Sequence, residues 1–222
     1  MRPLILSVLL LAAPTDAAER RWPIGSVERL RIDAPMAVQV TTGAGTGMRA
    51  STPDPAALDA LDVRVDGGTL TVRVRSGAPL LGMITIATPR LESVAVFAPA
   101  AVSVDAMRGD RVTLSVAGAG SLHVARIEAD TLTATLVGEG TITAAGRARD
   151  VRLAGNGPGT LDAGDLSADQ LTVQAAGDLI VRAAARYAAQ VSAGKDAQVR
   201  VRGRPRCTVR APVATAVRCG AS

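Results

Sequence analysis

Five stretches from the second half of the chain decide the fold when written one under another: FAPAAVSV (Phe97–Val104), AGAGSLHV (Ala117–Val124), VGEGTITA (Val137–Ala144), NGPGTLDA (Asn156–Ala163) and AGDLIV (Ala176–Val181). Each places a small or glycine-containing turn ahead of alternating apolar residues. The apolar anchors Val102, Leu122, Ile142, Leu161 and Leu179 fall 20, 20, 19 and 18 residues apart. Strands this short cannot bury a face alone, so a period of about 20 is the signature of stacked coils, a β-solenoid.

About ten residues beyond each anchor comes a second alternating pair: Val112 and Leu114, Leu132 and Ala134, Val151 and Leu153, Leu171 and Val173, Val191 and Ala193. Each coil therefore supplies at least two short strands. Equivalent residues of successive coils stack at about 4.8 Å, and alternate side chains enter a narrow interior. The only aromatic residues are Trp22, Phe97 and Tyr187, so columns of aliphatic and β-branched side chains must take the place of an aromatic core.

Residues from about 24 to 98 read as a strand-rich portion that caps the first coil. Leu30-Arg31-Ile32, Val38-Gln39-Val40, Leu61–Val65 and Leu70–Arg75 alternate apolar and polar residues, as half-buried strands do. Asp66-Gly67-Gly68 marks a hairpin turn. Pro53-Asp54-Pro55 before Ala56–Leu61 marks the one helical turn, with Asp54 or Thr52 near its start. Without a Ser-, Pro- or Gly-rich linker near residue 100, residues 18–222 are expected to form one elongated β domain: strand-rich to about 98, repeats over about 99–206, and a stapled cap over 207–222.

The first residues read as a secretory signal: Met1-Arg2, then the apolar run PLILSVLLLAA (Pro3–Ala13), then Thr15-Asp16-Ala17, with cleavage expected after Ala17. A retained N-terminal anchor is the alternative. The run is shorter than the roughly 20 residues a spanning helix needs, and no transmembrane segment is expected in the mature chain. The two cysteines, Cys207 and Cys219, lie in what should be an exported protein, so a disulfide between them is expected. A reactive or metal-binding pair is the alternative, with no neighbouring His or further Cys to support it. The bridge would staple the last coil, whose strand edges have no further coil to pair with.

Lys and Arg number 25 against 20 Asp and Glu, a net charge of +5. Most of the arginines are scattered among acids, and the stacking aromatics of single-strand binders are missing, so no nucleic-acid partner is expected. The dense basic stretch Arg200-Val201-Arg202-Gly203-Arg204-Pro205-Arg206 is either a solvated strand and turn or a contact for lipid headgroups or an acidic glycan.

The hairpin LDVRVDGGTLTVRV (Leu61–Val74), the stretch ITIATPRLESVAVFA (Ile84–Ala98), the turns Gly118-Ala119-Gly120, Gly138-Glu139-Gly140 and Gly157-Pro158-Gly159, and the late Gly203-Arg204-Pro205 together resemble the head GIN domain family of putative auto-transporter adhesins over about residues 27–206. The chain departs from that family's Gly-Ser-Gly turns in carrying Ala119, Glu139 and Pro158 there. The resemblance implies a right-handed β-helix-like fold, export, and an adhesive or surface role, and it carries no catalytic residues.

Asp110, Asp130, Asp150 and Asp169 recur near the start of the second column. Stacked, they would form a carboxylate column that needs cations or arginines to neutralise it, with calcium as the sharp alternative to solvated turns. His123, the only histidine, alternates with Leu122 and Val124 on a strand and reads as a surface or packing residue. Glu139 with Asp162 or Asp165 is the one pairing that could serve a glycosidase. No catalytic, cofactor or metal site is expected. The reading is an exported, non-enzymatic, adhesin-like solenoid that binds an extended partner such as a glycan or envelope component. A polysaccharide lyase or glycosidase, or a structural or regulatory envelope module, is the alternative.

Overall fold

The structure is a computed structural model in which residues 17–43, 45–75, 82–212 and 216–221 are described. Strand makes up 71% of the chain and helix 3%, which places it in the all-β class with a solenoid of about six turns. The strands are β1 (Ala18–Trp22), β2 (Arg29–Asp33), β3 (Ala37–Thr42), β4 (Gly47–Thr52), β5 (Leu61–Asp66), β6 (Thr69–Val74), β7 (Met83–Thr88), β8 (Ser93–Val96) and β9 (Ala101–Val104), with helix α1 (Pro55–Asp59) before β5. They continue as β10 (Met107–Ala117), β11 (Ser121–Val137), β12 (Thr141–Asn156), β13 (Thr160–Ala176), β14 (Ile180–Ala193), β15 (Gln198–Gly203), β16 (Arg206–Arg210) and β17 (Val217–Ala221). All 17 belong to one hydrogen-bonded sheet system.

The sheet folds into two walls. Wall 1 runs β1, β4, β7, β3, β9, then the first halves of β11 to β14, then β15 and β17. Wall 2 runs β5, β6, β2, β8, β10, then the second halves of β11 to β14, then β16. Strands β11 to β14 therefore each cross both walls through a bend, and register shifts mark those bends. From the coil of β8 and β9 onward every inter-coil pairing is parallel.

The N-terminal portion does more than cap. Strands β2 and β3 form a coil wedged between that of β6 and β7 and that of β8 and β9, so stacking order departs from chain order. The end is closed by antiparallel β4 and β1 on wall 1 and β5 on wall 2. Charged residues Glu19, Arg20 and Arg21 on β1, and Asp62, Arg64 and Asp66 on β5, blunt the two outer edges against further pairing. The expected Gly67-Gly68 hairpin joins β5 to β6, with both glycines at positive φ (51° and 75°). The expected helical turn is α1, capped by the Asp54 carboxylate, which accepts from the Ala56 N–H at 3.0 Å.

Two alignments predicted from the sequence are corrected between β13 and β14. Leu161 pairs with Val181, not with Leu179, and Leu171 and Val173 pair with Ala189 and Val191, not with Val191 and Ala193. The true anchors are spaced 20, 20, 19, 20 and 18 residues from Val102 to Val199. The slip arises because β13 carries the extra residues Gly164–Leu166 at its bend, and β14 carries one extra residue at Arg186-Tyr187. Bulges move residues between the strand columns without altering the mean period.

The core is a set of stacked columns. Leu70, Leu30, Val94, Leu114, Ala134, Leu153, Val173 and Val191 form one in wall 2, all buried. Large, fully buried side chains run from Ile32 through Ile142 and on to Leu161, Leu166 and Leu179. Beside these leucines the later coils bury many alanines: Ala163, Ala168, Ala175, Ala183, Ala185, Ala189 and Ala193. At about 25 cal/mol per Å² of apolar area, thinner side chains mean a less stable C-terminal end.

The turn glycines are set by stacking. A Cβ on Gly140 would lie 2.6 Å from the Gly120 carbonyl oxygen, and one on Gly159 would lie 2.7 Å from that of Gly140. Leu179 occupies the same column one coil later, buried completely. It fits because Gly155 lies in place of the larger Val116 and Leu136 of its own column; a Cβ there would lie 2.8 Å from Leu179 Cδ2. Leu179→Ala is expected to cost about 2–5 kcal/mol, as for other buried leucines, read by urea unfolding.

Candidate binding faces

Residues facing outward from wall 2 line up in two columns. One runs Thr69, Arg29, Ser93, Thr113, Thr133, Arg152, Thr172, Gln190 and Thr208. Beside it run Thr71, Arg31, Ala95, Ser115, Thr135, Ala154, Gln174, Ser192 and Arg210. Hydroxyl and amide groups predominate, repeated at the strand spacing of about 4.8 Å. A shallow depression of about 270 Å³ lies on this face between Thr172, Gln174, Gln190, Ser192, Thr208 and Arg210. These columns were not singled out from the sequence, because threonine is common in any strand; the regular offset of Thr113 and Thr133 was the available signal.

The expected column of four aspartates does not form. Pairing of Ala129 with Ala148 and of Ala148 with Ala168 sets Arg149 between Asp130 and Asp169, while Asp150 is shifted one position to face Thr131 and Gln170. The true column alternates in sign from Asp130 onward. Arg149 Nη2 lies 2.6 Å from Asp130 Oδ1, and Arg186 Nη1 lies 3.6 Å from Asp169 Oδ1. In the neighbouring column Arg108 reaches Glu128 at 3.5 Å. The 19-residue step between Asp130 and Arg149, in place of 20, is what a reading by equal spacing misses. No cluster of three or more His, Cys, Asp or Glu suited to a metal occurs among the described residues. Arg149→Asp would stack carboxylates at about 5 Å, and the expected loss is about 1 kcal/mol in low salt, largely recovered in molar NaCl, by urea unfolding at both salt levels.

Facing outward from wall 1 are Gln39, Ser103, His123, Thr143, Asp162, Arg182, Arg200 and Arg218 in one column. His123 is exposed between Ser103 and Thr143. Asp162 and Asp165 come together at the Gly164 bulge, each held by an arginine: Arg182 at 3.3 Å from Asp162 and Arg202 at 3.3 Å from Asp165. Arg202 also donates to the Gly164 carbonyl, and the Gly164 N–H donates to Asp162 at 3.0 Å. Glu139 sits apart from them in the turn before wall 1, level with Pro158 of the next coil. Each of the two aspartates is paired with an arginine, and Glu139 lies in the turn before the strand that carries its own coil's wall-1 residues.

Cys207 and Cys219 are bonded, with Cα atoms 6.2 Å apart. Cys207 continues the inward wall-2 column through Ala189, and Cys219 continues the inward wall-1 column through Val201. The bridge thus crosses the interior of the last coil. Each aromatic residue carries an arginine over its ring: Arg31 over Phe97 at 4.1 Å, Arg186 over Tyr187 at 5.5 Å and Arg20 over Trp22 at 5.9 Å.

With this geometry in hand, a family model described as "Putative auto-transporter adhesin, head GIN domain" matches residues 28–205. The chain belongs to that family. A search of curated proteins returns no match. Among solved structures, the head GIN chain is similar to a putative adhesin from Bacteroides fragilis, with a TM-score of 0.80 at 16% identity over 88% of this chain and 94% of that one. A putative adhesin from Parabacteroides merdae gives 0.68 at 13% identity, over 89% and 93%. A putative lipid binding protein from Parabacteroides distasonis gives 0.70 at 14% identity, over 94% and 96%. Likenesses this low in identity establish a shared fold. The family match supplies the adhesin-like character, and it covers the two-walled stack from β2 to β15, with β1, β16 and β17 outside it.

Proposed function

We propose that this head GIN protein is exported, with residues 1–17 removed as its signal peptide, and acts without catalysis as an adhesin-like module whose wall-2 face holds an extended glycan or envelope polymer. The observation that carries the reading is the paired column of hydroxyl and amide side chains across wall 2. A flat, regular face makes many individually weak hydrogen bonds, directly and through water, and a repeating partner gains from each added coil. The family's adhesin character and the disulfide support export, since structural disulfides persist in oxidising compartments.

The test is a broad glycan and envelope-polysaccharide array with the oxidised chain from residue 18 to 222, with product analysis of the hits. Binding without cleavage is expected, and Thr133→Leu with Thr172→Leu should weaken it at least about tenfold, a change of about 1.4 kcal/mol, by removing two hydroxyls from the middle of the face. Cleavage of any bound glycan would overturn the reading in favour of the enzyme.

A further inference from the structure

The net charge of the chain is not spread along it. After Asp196 the sequence contains six arginines and no acid, so the preceding residues hold 19 cations against 20 acids. The whole positive excess sits on the stapled C-terminal coil.

Part of that excess is built into a regular array. Arg182 pairs with Arg200, and Arg200 with Arg218, in register on the outward side of wall 1, alternating with the inward residues Val181, Val199 and Val217. Strand spacing sets the three guanidinium-bearing positions about 4.8 Å apart along the stack. Arg182 has Asp162 at 3.3 Å. Arg200 and Arg218 are exposed, and neither guanidinium forms an ion pair or hydrogen bond with the described residues. Arg108, Arg149 and Arg186 have carboxylates on the neighbouring coil, and Arg202 reaches Asp165 two coils away. Arg111, Arg126, Arg147 and Arg152 are exposed without an ion pair among the described residues, but Arg200 and Arg218 are unpaired and also directly in register with each other. Like charges placed directly opposite on adjacent strands destabilise a sheet, so an unneutralised array is retained against its own repulsion.

The array lines a groove of about 490 Å³ on wall 1, whose other charged members are Lys195 and Asp196, paired at 3.7 Å. We propose that this groove is a second binding site, independent of the wall-2 face, and that it takes a linear acidic polysaccharide whose carboxylate or sulfate groups sit on Arg200 and Arg218. Arginine binds such groups with two parallel N–H donors, and a row of arginines suits successive charges of a linear chain. No aromatic residue lines the groove, which disfavours stacked nucleic-acid bases. Ile180 is the single exposed large apolar side chain in the groove's lining, too little to insert into a bilayer, and a flat row of charges on a sheet favours a polymer.

The experiment uses the oxidised chain from residue 18 to 222 with three probes: heparin, polygalacturonate, and phosphatidylcholine vesicles containing phosphatidylglycerol, with neutral dextran as control. Calorimetry or biolayer interferometry at rising salt is expected to show salt-sensitive binding to both acidic polymers. Arg200→Glu with Arg218→Glu should weaken it at least about tenfold, the scale of one lost charge-assisted contact. Arg204→Glu with Arg206→Glu makes the same change in net charge away from the array and should weaken it by less than about threefold. Thr133→Leu with Thr172→Leu, which adds no charge beside Arg152, should leave it intact, which separates this site from the wall-2 reading. Equal losses from the two charge-reversal pairs would overturn the array in favour of a diffuse basic patch. Binding to the anionic vesicles alone would overturn it in favour of a lipid surface, and no binding to either polymer would overturn it outright.

Discussion

Replacing both cysteines, by Cys207→Ser with Cys219→Ser, is expected to lower the stability of the protein by about 3 kcal/mol, the scale set by closing a short loop in the unfolded chain. The bridge closes a separation of 12 residues, and its position makes the effect local. Every residue of β16 is exposed, and among the described residues β16 pairs only with β14 and β17 only with β15. Inside this coil the neighbours of the disulfide are Ala189 and Val201, too little apolar surface to hold two short strands in place. Hydrogen exchange should therefore show β16 and β17 losing protection first, with β11 and β12 unchanged. Because Arg218 lies one residue before Cys219, the same substitution should also weaken polyanion binding. A loss below about 1 kcal/mol with unchanged protection of β16 and β17 would show that strand pairing alone closes the solenoid.

The solenoid was legible in the sequence because its cause is periodic. Each coil places a turn, an inward apolar residue and a second apolar pair at a repeating interval, so Val102, Leu122, Ile142 and Leu161 align by simple spacing. What spacing cannot reveal is where a residue is inserted without changing the number of strands. The bulges at Gly164–Leu166 and at Arg186-Tyr187 displaced Leu179, Val191 and Ala193 from their predicted columns. A step of 19 in place of 20 likewise exchanged Asp150 for Arg149 and turned an expected carboxylate column into one of mixed sign.

The wedge of β2 and β3 between later strands was hidden for a different reason. Parallel neighbours in a stack have the same alternating pattern whichever comes first along the chain, so the pattern of Leu30 and Ile32 fits beside Val94 or Leu70 equally well. The arginine array was partly legible: Arg200 belonged to a recognised basic stretch, but its partners Arg182 and Arg218 lie 18 residues away on either side. Only the register joins them, and the register follows from the shorter last coils.

Gly140→Ala is expected to cost up to about 3 kcal/mol, the upper range for forcing extra volume into a packed site. The added Cβ would lie 2.6 Å from the Gly120 carbonyl oxygen, 2.7 Å from Val116 Cγ1 and 3.0 Å from the Gly118 carbonyl oxygen. Two of these are backbone atoms of the preceding coil, held by the bond from the Thr141 N–H to the Gly120 oxygen at 3.0 Å, so relief requires the coils themselves to separate. Gly118→Ala provides the contrast: its Cβ would approach nothing closer than 3.9 Å, and only its φ of 96° opposes the side chain, at about 1–2 kcal/mol. Urea unfolding of the two variants should rank Gly140→Ala as the more damaging. That order would mean the second glycine of each turn is set by the close stacking of coils. The reverse order would place the requirement in the turn conformation, and would leave Leu179, which occupies the same column with a full side chain, as the rule for that position and Gly140 as the exception.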